Sequence, residues 1–285
     1  QAYAAEFALP IRFGVNVERV EKSVVEPDRY LVTGNGVCLD ASNVVVATGG
    51  QHLPFVPDFA GELDSDIRQF HSSDYRNPSQ LKEGGVLVVG ASHSGADLAM
   101  ECATAHPTWL AGRDTGQFPF DIEGRVARAA LPALWFAANH VITVRTPIGR
   151  KARHEVRSEG GPLLRYKRDD LAAAGVQRTE ARVVGANDGR PVLDDGQELD
   201  VANVIWCTGF RRDYDWIDLP ILDETGWPAQ TDGQSDDYPG LFFAGLIFQF
   251  SFASMLVGGA ARDARAVAKG IKTRSRHLQQ APTAA

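Results

Sequence analysis

The sequence predicts an α/β fold of two related units built on parallel sheets, with the first unit incomplete. Three observations predict it. One is an internal repeat of long period. Another is a single strand, glycine turn and helix lying between the two copies. The third is the charge-free strand that closes each copy.

The repeat relates residues 14–49 to residues 175–209. Both open on Gly-Val and pass through turn-separated, strand-like runs. Leu39, Asp40, Asn43, Val44, Thr48 and Gly49 then answer to Leu199, Asp200, Asn203, Val204, Thr208 and Gly209. Each copy reads as a three-stranded excursion followed by a buried strand, VVVATG or VIWCTG. Asn35–Gly36 and the Asp-Asp-Gly at 194–196 are the hairpin signals.

Residues 86–101, VLVVGASHSGADLAME, carry the chemistry. Four apolar residues, mostly β-branched, read as a buried parallel strand. GASHSG then gives G-x-S-x-x-G, with Gly90 for the tight turn and Gly95 for close helix–strand contact. Ser92 stands where the usual motif has its middle glycine. The helix starting near Ser94 has Ala96, Leu98, Ala99 and Cys102 to bury. Its free N–H groups and dipole suit the pyrophosphate of a dinucleotide, making Gly90, Ser92, Ser94 and Gly95 candidate ligands. A purely structural strand, turn and helix is the competing reading.

The next strand, residues 109–111, runs into Gly112, Arg113 and Asp114. An acidic residue ending this strand would hold the ribose hydroxyls of NAD. Arg113 suits a 2′-phosphate instead, so NADP(H) is the expected dinucleotide. Asp114 keeps a ribose contact open. The basic stretch 145–168 reads as a solvated face, with Lys151 or Arg153 joining Arg113 as the sharper alternative.

The repeat also predicts what precedes this unit. Thr208 stands 160 residues after Thr48, so a twin of Gly90 would lie roughly 70 residues before residue 1. A first nucleotide-binding βαβ unit is therefore expected to be missing, and the chain to be N-terminally truncated.

Composition narrows the partners. A net charge of -7 argues against nucleic acid or an anionic membrane as main partner. Cys38, Cys102 and Cys207 form no CxxC pair, which fits a cytoplasmic protein and removes a dithiol centre. Residues 241–261 lack charge and are long enough to span a bilayer. Gly245, Gln249, Ser251 and Ser254 interrupt them, so a buried strand, a turn and a helix start are expected, with no transmembrane segment. Residues 129–141 read as a core helix, with a substrate-channel wall or membrane-touching patch as the minority reading. His52, His93, His106, His140, His154 and His277 show no metal spacing. No Ser-His-Asp order, paired carboxylates or P-loop is present.

Together these pieces resemble the flavin-containing monooxygenase family, including its bacterial and YUCCA-like branches, over nearly the whole chain. Phe59, Gly61, Phe70, His71, Ser72, Asp74 and Tyr75 match its FxG and HxxxY pattern. Ser65 and Ile67 stand where the family has Phe and Gly. VVVATGG at 44–50 and VIWCTGF at 204–210 resemble the two inter-domain crossings. YPGLFFAGL at 238–246 resembles the strand beneath the flavin, with Leu246 where disulfide-reductase relatives carry an acid.

The resemblance implies a two-dinucleotide-binding, Rossmann-like flavoprotein fold whose first domain is incomplete. Residues 1–50 plus 207–285 would be the residual FAD domain, and 51–206 the NADP(H)-binding domain. Thr48, Gly49, Thr208 and Gly209 would shape the crossings. Gly245 would approach the flavin, and a helix over 254–269 would aim its dipole at it. His71 would organise the domain junction and the NADP approach, with a catalytic role as the lesser reading. The implied activity inserts one oxygen of O2 into a small organic substrate through a C4a-(hydro)peroxyflavin, with FAD and NADPH as cofactors. The alternative is a catalytically incompetent NADP-binding module. Catalytic residues stay unassigned, no metal is expected, and a homo-oligomer stays open.

Overall fold

The computed structural model describes residues 2–119, 121–122, 124–158 and 160–280. The chain opens with α1 (Ala2–Glu6), β1 (Arg19–Lys22), β2 (Tyr30–Gly34), β3 (Val37–Ala41) and β4 (Val44–Val46). Then come β5 (Leu53–Pro54), β6 (Arg68–His71), β7 (Val86–Val89), α2 (His93–Cys102) and β8 (Thr108–Ala111). Helices α3 (Arg125–Phe136), α4 (Pro147–Ser158) and α5 (Arg168–Ala173) lead to β9 (Gln177–Thr179), β10 (Val183–Asn187) and β11 (Arg190–Leu193). The last elements are β12 (Asn203–Trp206), β13 (Phe210–Arg211), β14 (Gln230–Thr231), β15 (Gln234–Ser235), β16 (Leu241–Phe243) and α6 (Val257–Gln280). Two compact units result among the described residues: 2–49, 212–250 and 254–280 in one, and 50–211 with 251–253 in the other.

The second unit is built on a five-stranded parallel sheet in the order β6-β12-β7-β8-β9. Side chains alternate between its faces, as strand geometry requires. Val86, Val88, Leu110 and Ile205 meet Ala96, Ala99 and Cys102 of α2 on one side. Leu87, Val89, Val204 and Trp206 meet Leu193 and Leu199 on the other. Both faces are covered, which is why β7 and β12 read as continuous apolar runs. From β7 the chain steps outward to β8 and β9, then returns to β12 on the other side of β7. That reversal falls at the C-terminal ends of β7 and β12, the place where open parallel sheets carry their ligands. Residues 251–253 belong here because Ser251 bridges Thr143 and the Phe252 N–H donates to the Ile142 carbonyl at 2.9 Å.

Two expectations for this unit need correction. The second copy of the repeat is not a three-stranded excursion: β9 joins the parallel sheet beside β8, leaving β10 and β11 as a two-stranded hairpin. The hairpin turns at Asp188 and Gly189, whose φ values of 46° and 76° suit a tight turn. The Asp-Asp-Gly at 194–196 does fold the chain back, with the Gly196 N–H donating to the Leu193 carbonyl at 2.9 Å. Residues 129–141 are not a core helix. They form the end of α3 and a π-helical turn, Ala137–Val141, whose large side chains face outward. Leu131 is 58% and Phe136 62% exposed, while the small Ala127 and Ala138 are buried.

In the first unit β1, β2 and β3 form the predicted antiparallel excursion. It turns at Asn35 and Gly36, with φ of 46° and 74°. A second sheet runs in the order β14-β15-β16-β4, with β16 parallel to β4. Leu241, Phe242 and Phe243 are fully buried in it. Tyr30 is equally buried, and its hydroxyl donates to the Pro239 carbonyl at 3.0 Å. The apolar run 241–261 thus resolves into a strand, a 3-10 turn over Phe252–Met255 and the start of α6. Helix α6 starts at Val257 and runs on to Gln280, beyond the predicted end. Among the described residues no helix is long and apolar enough to cross a membrane.

Candidate functional site

The G-x-S-x-x-G turn follows β7, at the point where the strand order of the five-stranded sheet reverses. Gly90 follows β7 with a φ of 109° and donates its N–H to the Ala111 carbonyl at 2.8 Å. A Cβ on Gly90 would run into the Cys207 carbonyl, and one on Gly95 into the carbonyl of Gly90 itself. Both positions therefore need glycine, because backbone meets backbone there. Ser92 is extended, with φ -89° and ψ -165°, and precedes α2. Its hydroxyl caps no helix N–H but donates to the Gly161 carbonyl at 2.8 Å. The first intrahelical bond runs from the Ala96 N–H to the Ser92 carbonyl at 3.0 Å. The N–H groups ahead of it, at the exposed Ser94 and its neighbours, are those a helix leaves for an anion.

Beyond β8, Gly112 donates to the Thr179 carbonyl at 3.1 Å, and Arg113 is exposed. Asp114 is engaged on both oxygens. Its Oδ1 accepts the Gly116 N–H at 2.9 Å and lies 3.6 Å from the Arg178 guanidinium, and its Oδ2 accepts from Arg168. Burial by itself would raise the Asp114 carboxyl. The Gly116 N–H and the two arginines outweigh that effect and hold it below the usual value.

At the end of β12 the Cys207 N–H donates to the Val89 carbonyl at 2.7 Å. The Thr208 hydroxyl donates to the Phe55 carbonyl, and the Phe55 N–H returns a bond to the Gly209 carbonyl at 2.9 Å. His71, at the end of neighbouring β6, completes this knot. Its Nε2 meets the Gly209 carbonyl at 2.9 Å and its Nδ1 lies 2.8 Å from the Ser73 hydroxyl. A carbonyl only accepts, so the ring proton sits on Nε2 and Nδ1 accepts. His71 is buried, edge-on to Phe210 at 4.9 Å, and has both nitrogens committed to holding the connection. Cys207 offers no nucleophile, since burial pushes its thiol up to about 12; burial likewise lifts Cys102 to about 11.

In the first unit the parallel strands β4 and β16 end in a comparable way. The Ala244 N–H donates to the Val46 carbonyl at 2.9 Å. Gly49 and Gly245 follow, with φ of 77° and 82°. A Cβ on Gly49 would meet only the Gly245 carbonyl, at 4.0 Å, and one on Gly245 would meet nothing within 4 Å. Bare backbone at paired strand ends lets a flat ligand approach closely. Thr48, exposed, belongs to the same rim.

The structure thus brings Gly90, Ser92, Ser94, Gly95 and Arg113 to one end of the second unit's sheet, with Thr208 and Gly209 on the adjoining strand end. Thr48, Gly49 and Gly245 form a separate cluster in the first unit. Sequence reasoning missed the convergence of Arg168 and Arg178 on Asp114, and the packing of Gly161 against His93. The consecutive glycines at 160 and 161 were the available signal for the latter. Among the described residues no group of His, Cys, Asp or Glu could hold a metal ion.

Residues 1–126 match the family model described as pyridine nucleotide-disulphide oxidoreductase. An uncharacterised CzcO-like oxidoreductase of Geobacillus kaustophilus is 34% identical over 264 residues, covering 92% of this chain and 73% of that protein. A probable indole-3-pyruvate monooxygenase of Arabidopsis thaliana, YUCCA3, is 26% identical over 272 residues, covering 85% of this chain and 60% of that protein. Among solved structures, a flavin monooxygenase from Stenotrophomonas maltophilia is similar at a TM-score of 0.68 and 22% identity, over 95% of this chain and 74% of its own. That likeness establishes the α/β, Rossmann-like fold predicted from the sequence.

Proposed function

From the premise that this chain belongs to the flavin-containing monooxygenase family, among its CzcO-like oxidoreductases, we propose that it is an NADPH- and FAD-dependent monooxygenase. Its reaction delivers one oxygen of O2 to a small organic substrate. The observation that carries this reading is the glycine turn at the strand-order reversal, followed one strand later by Arg113 in place of an acid.

Within this reading residues 51–206, which make up most of the second unit, are the NADP(H)-binding domain. Gly90, Ser92, Ser94 and Gly95 hold the pyrophosphate at the start of α2. Arg113 takes the 2′-phosphate. The stretches 1–50 and 207–285 are assigned to the FAD domain, although residues 50, 207–211 and 251–253 pack with the second unit, and the bare backbone of Gly49 and Gly245 fits the close approach of a flavin ring. Thr48, Gly49, Thr208 and Gly209 shape the two connections, the second tied down by His71 and Phe55. A bound flavin supplies the acceptance of hydride and the reaction with O2. The protein's part is to orient the nicotinamide and to exclude water from the reacting atoms.

Purified chain mixed with FAD and NADPH, then desalted, tests this reading. Stoichiometric flavin in the absorption spectrum, with NADPH consumption and O2 uptake, is the expected result. Thermal stabilisation by NADP+ with none by FAD would overturn the monooxygenase reading and leave a dinucleotide-binding module. No response to NADPH would overturn the nicotinamide assignment as well.

A further inference from the structure

Serine suits the position before a helix because its hydroxyl accepts a helix N–H, and the dinucleotide motif carries glycine there so that backbone can approach a pyrophosphate. Ser92 follows neither rule. Its hydroxyl caps no N–H of α2 and donates to the Gly161 carbonyl at 2.8 Å. The two glycines at that contact have no room for a side chain. A Cβ on Gly160 would lie 2.9 Å from the Ser92 Cβ, and one on Gly161 would lie 2.3 Å from Cε1 of the His93 ring. Leu163, 1% exposed, fastens the other end of the segment. Its N–H donates to the Gly116 carbonyl at 2.9 Å, and its carbonyl accepts the Phe118 N–H at 2.8 Å. Gly160–Leu163 is thus a strap strung from the turn after β7 to the chain leaving β8. Ser94 stays exposed, so the strap flanks the start of α2 without covering it. Beside the strap, His93 Nε2 and Thr115 Oγ1 are buried with no hydrogen-bond partner among the described residues, so the contact carries a cost in stability. Contacts kept at such a cost are expected where a site is being formed.

We propose that Ser92 is a positioning residue, whose hydroxyl latches the Gly160–Leu163 strap in place as a wall of the dinucleotide site on its pyrophosphate side. The proposal rests on the nicotinamide assignment above. A strap fastened at the turn after β7 borders the part of the ligand that the two nicotinamide dinucleotides share, so the latch serves NADP(H) and NAD(H) alike. A wall already in place spares the ligand the ordering of that chain when it binds. Glycine at position 92 would open the turn to a closer approach of the pyrophosphate, yet it would release the strap. The motif and the latch therefore make opposite forecasts for one substitution. By the motif, Ser92→Gly binds dinucleotide at least as tightly as wild type; by the latch, it binds more weakly.

Calorimetric titration of the full chain with NADP+ and with NAD+ decides between them. Ser92→Gly and Ser92→Ala should each weaken both dinucleotides by the same factor, about 3- to 10-fold, the range for loss of one neutral hydrogen bond. Gly161→Ala, which forces the strap off the His93 ring and leaves the Ser92 side chain unaltered, should do the same. Hydrogen exchange supplies a second reading. In wild-type protein NADP+ should slow exchange of the Leu163 and Phe118 N–H groups, and in unliganded Ser92→Ala both should exchange faster than in wild type at an unchanged melting temperature. Where a variant melts lower, the wild-type exchange with and without NADP+ decides alone. Exchange in the strap that ignores NADP+ would overturn the latch, as would Ser92→Gly protein that binds both dinucleotides as tightly as wild type or tighter. A loss confined to NADP+ would place the strap at the 2′-phosphate and overturn it too. Each of these results leaves the nicotinamide assignment intact. Wild-type protein binding neither dinucleotide would overturn both.

Discussion

The two copies of the repeat close on strands of matching sequence that meet different surroundings. β12 lies between β6 and β7 and buries all four of its residues. β4 pairs, among the described residues, with β16, and leaves Val45 41% exposed. The Asn that opens each strand differs likewise. Asn203 accepts the Lys82 N–H at 2.8 Å and donates to the Lys82 carbonyl at 2.9 Å, tying the loop before β7 to β12. Asn43 donates weakly to the Ser275 hydroxyl at 3.4 Å, and its side-chain oxygen is buried with no hydrogen-bond partner among the described residues. Shared sequence preserves the chemistry of the connection, an Asn at the start and Thr-Gly at the end. Position in the sheet decides how much stability that chemistry contributes.

The largest test of this contrast is in the core. Trp206→Ala should cost about 3–5 kcal/mol, because it empties a fully buried site and leaves the Gln69 side chain without its indole donor. Val45→Ala in β4 should stay within about 0.5 kcal/mol, as surface changes do. Chemical denaturation of both variants checks the pair, and similar losses would break the comparison. A smaller effect is expected at the paired asparagines. Asn203→Ala should cost about 2–3 kcal/mol by stranding buried backbone groups, whereas Asn43→Ala should cost less than about 1 kcal/mol. Denaturant midpoints at constant slope would read this, and a costlier Asn43→Ala would reverse the argument.

The smallest effect concerns pH and the start of α2. Burial holds His93 below the usual histidine value, although the Pro162 carbonyl and Asp97 pull it upward. The unfolded chain, with its histidine near about 6.5, then binds the proton more readily than the folded one. Stability from neutral His93 is complete above about pH 6.5 and is lost as pH falls through the folded value. His93→Gln should flatten that part of the stability profile. An unchanged slope would show that His93 is solvated.

The strand, turn and helix at residues 86–102 were legible because their cause is local: an apolar run, then glycines where backbone must touch backbone. The pairing of β9 with β8 was not, since parallel partners lie far apart in sequence and Gln177–Thr179 is too short to show a pattern. Asp188 and Gly189 did carry a hairpin signal, and they mark where the second copy departs from the first. At the proposed site, Arg113 could be read from its place after a strand. Arg168 and Arg178 could not, because they reach Asp114 only through the packing of α5 and the pairing of β9. The outward face of α3 was hidden for the opposite reason, since its apolar periodicity says nothing about whether another element covers it.

The central claim is that the second unit takes NADP(H) at the turn after β7, with Arg113 reading the phosphate. Its most direct test is calorimetric titration of wild-type protein and Arg113→Ala with NADP+ and NAD+. The account predicts tighter binding of NADP+ by the wild type, and a selective loss of about 10- to 100-fold for NADP+ in the variant. Equal weakening of both dinucleotides, or wild-type protein that does not distinguish them, would contradict it.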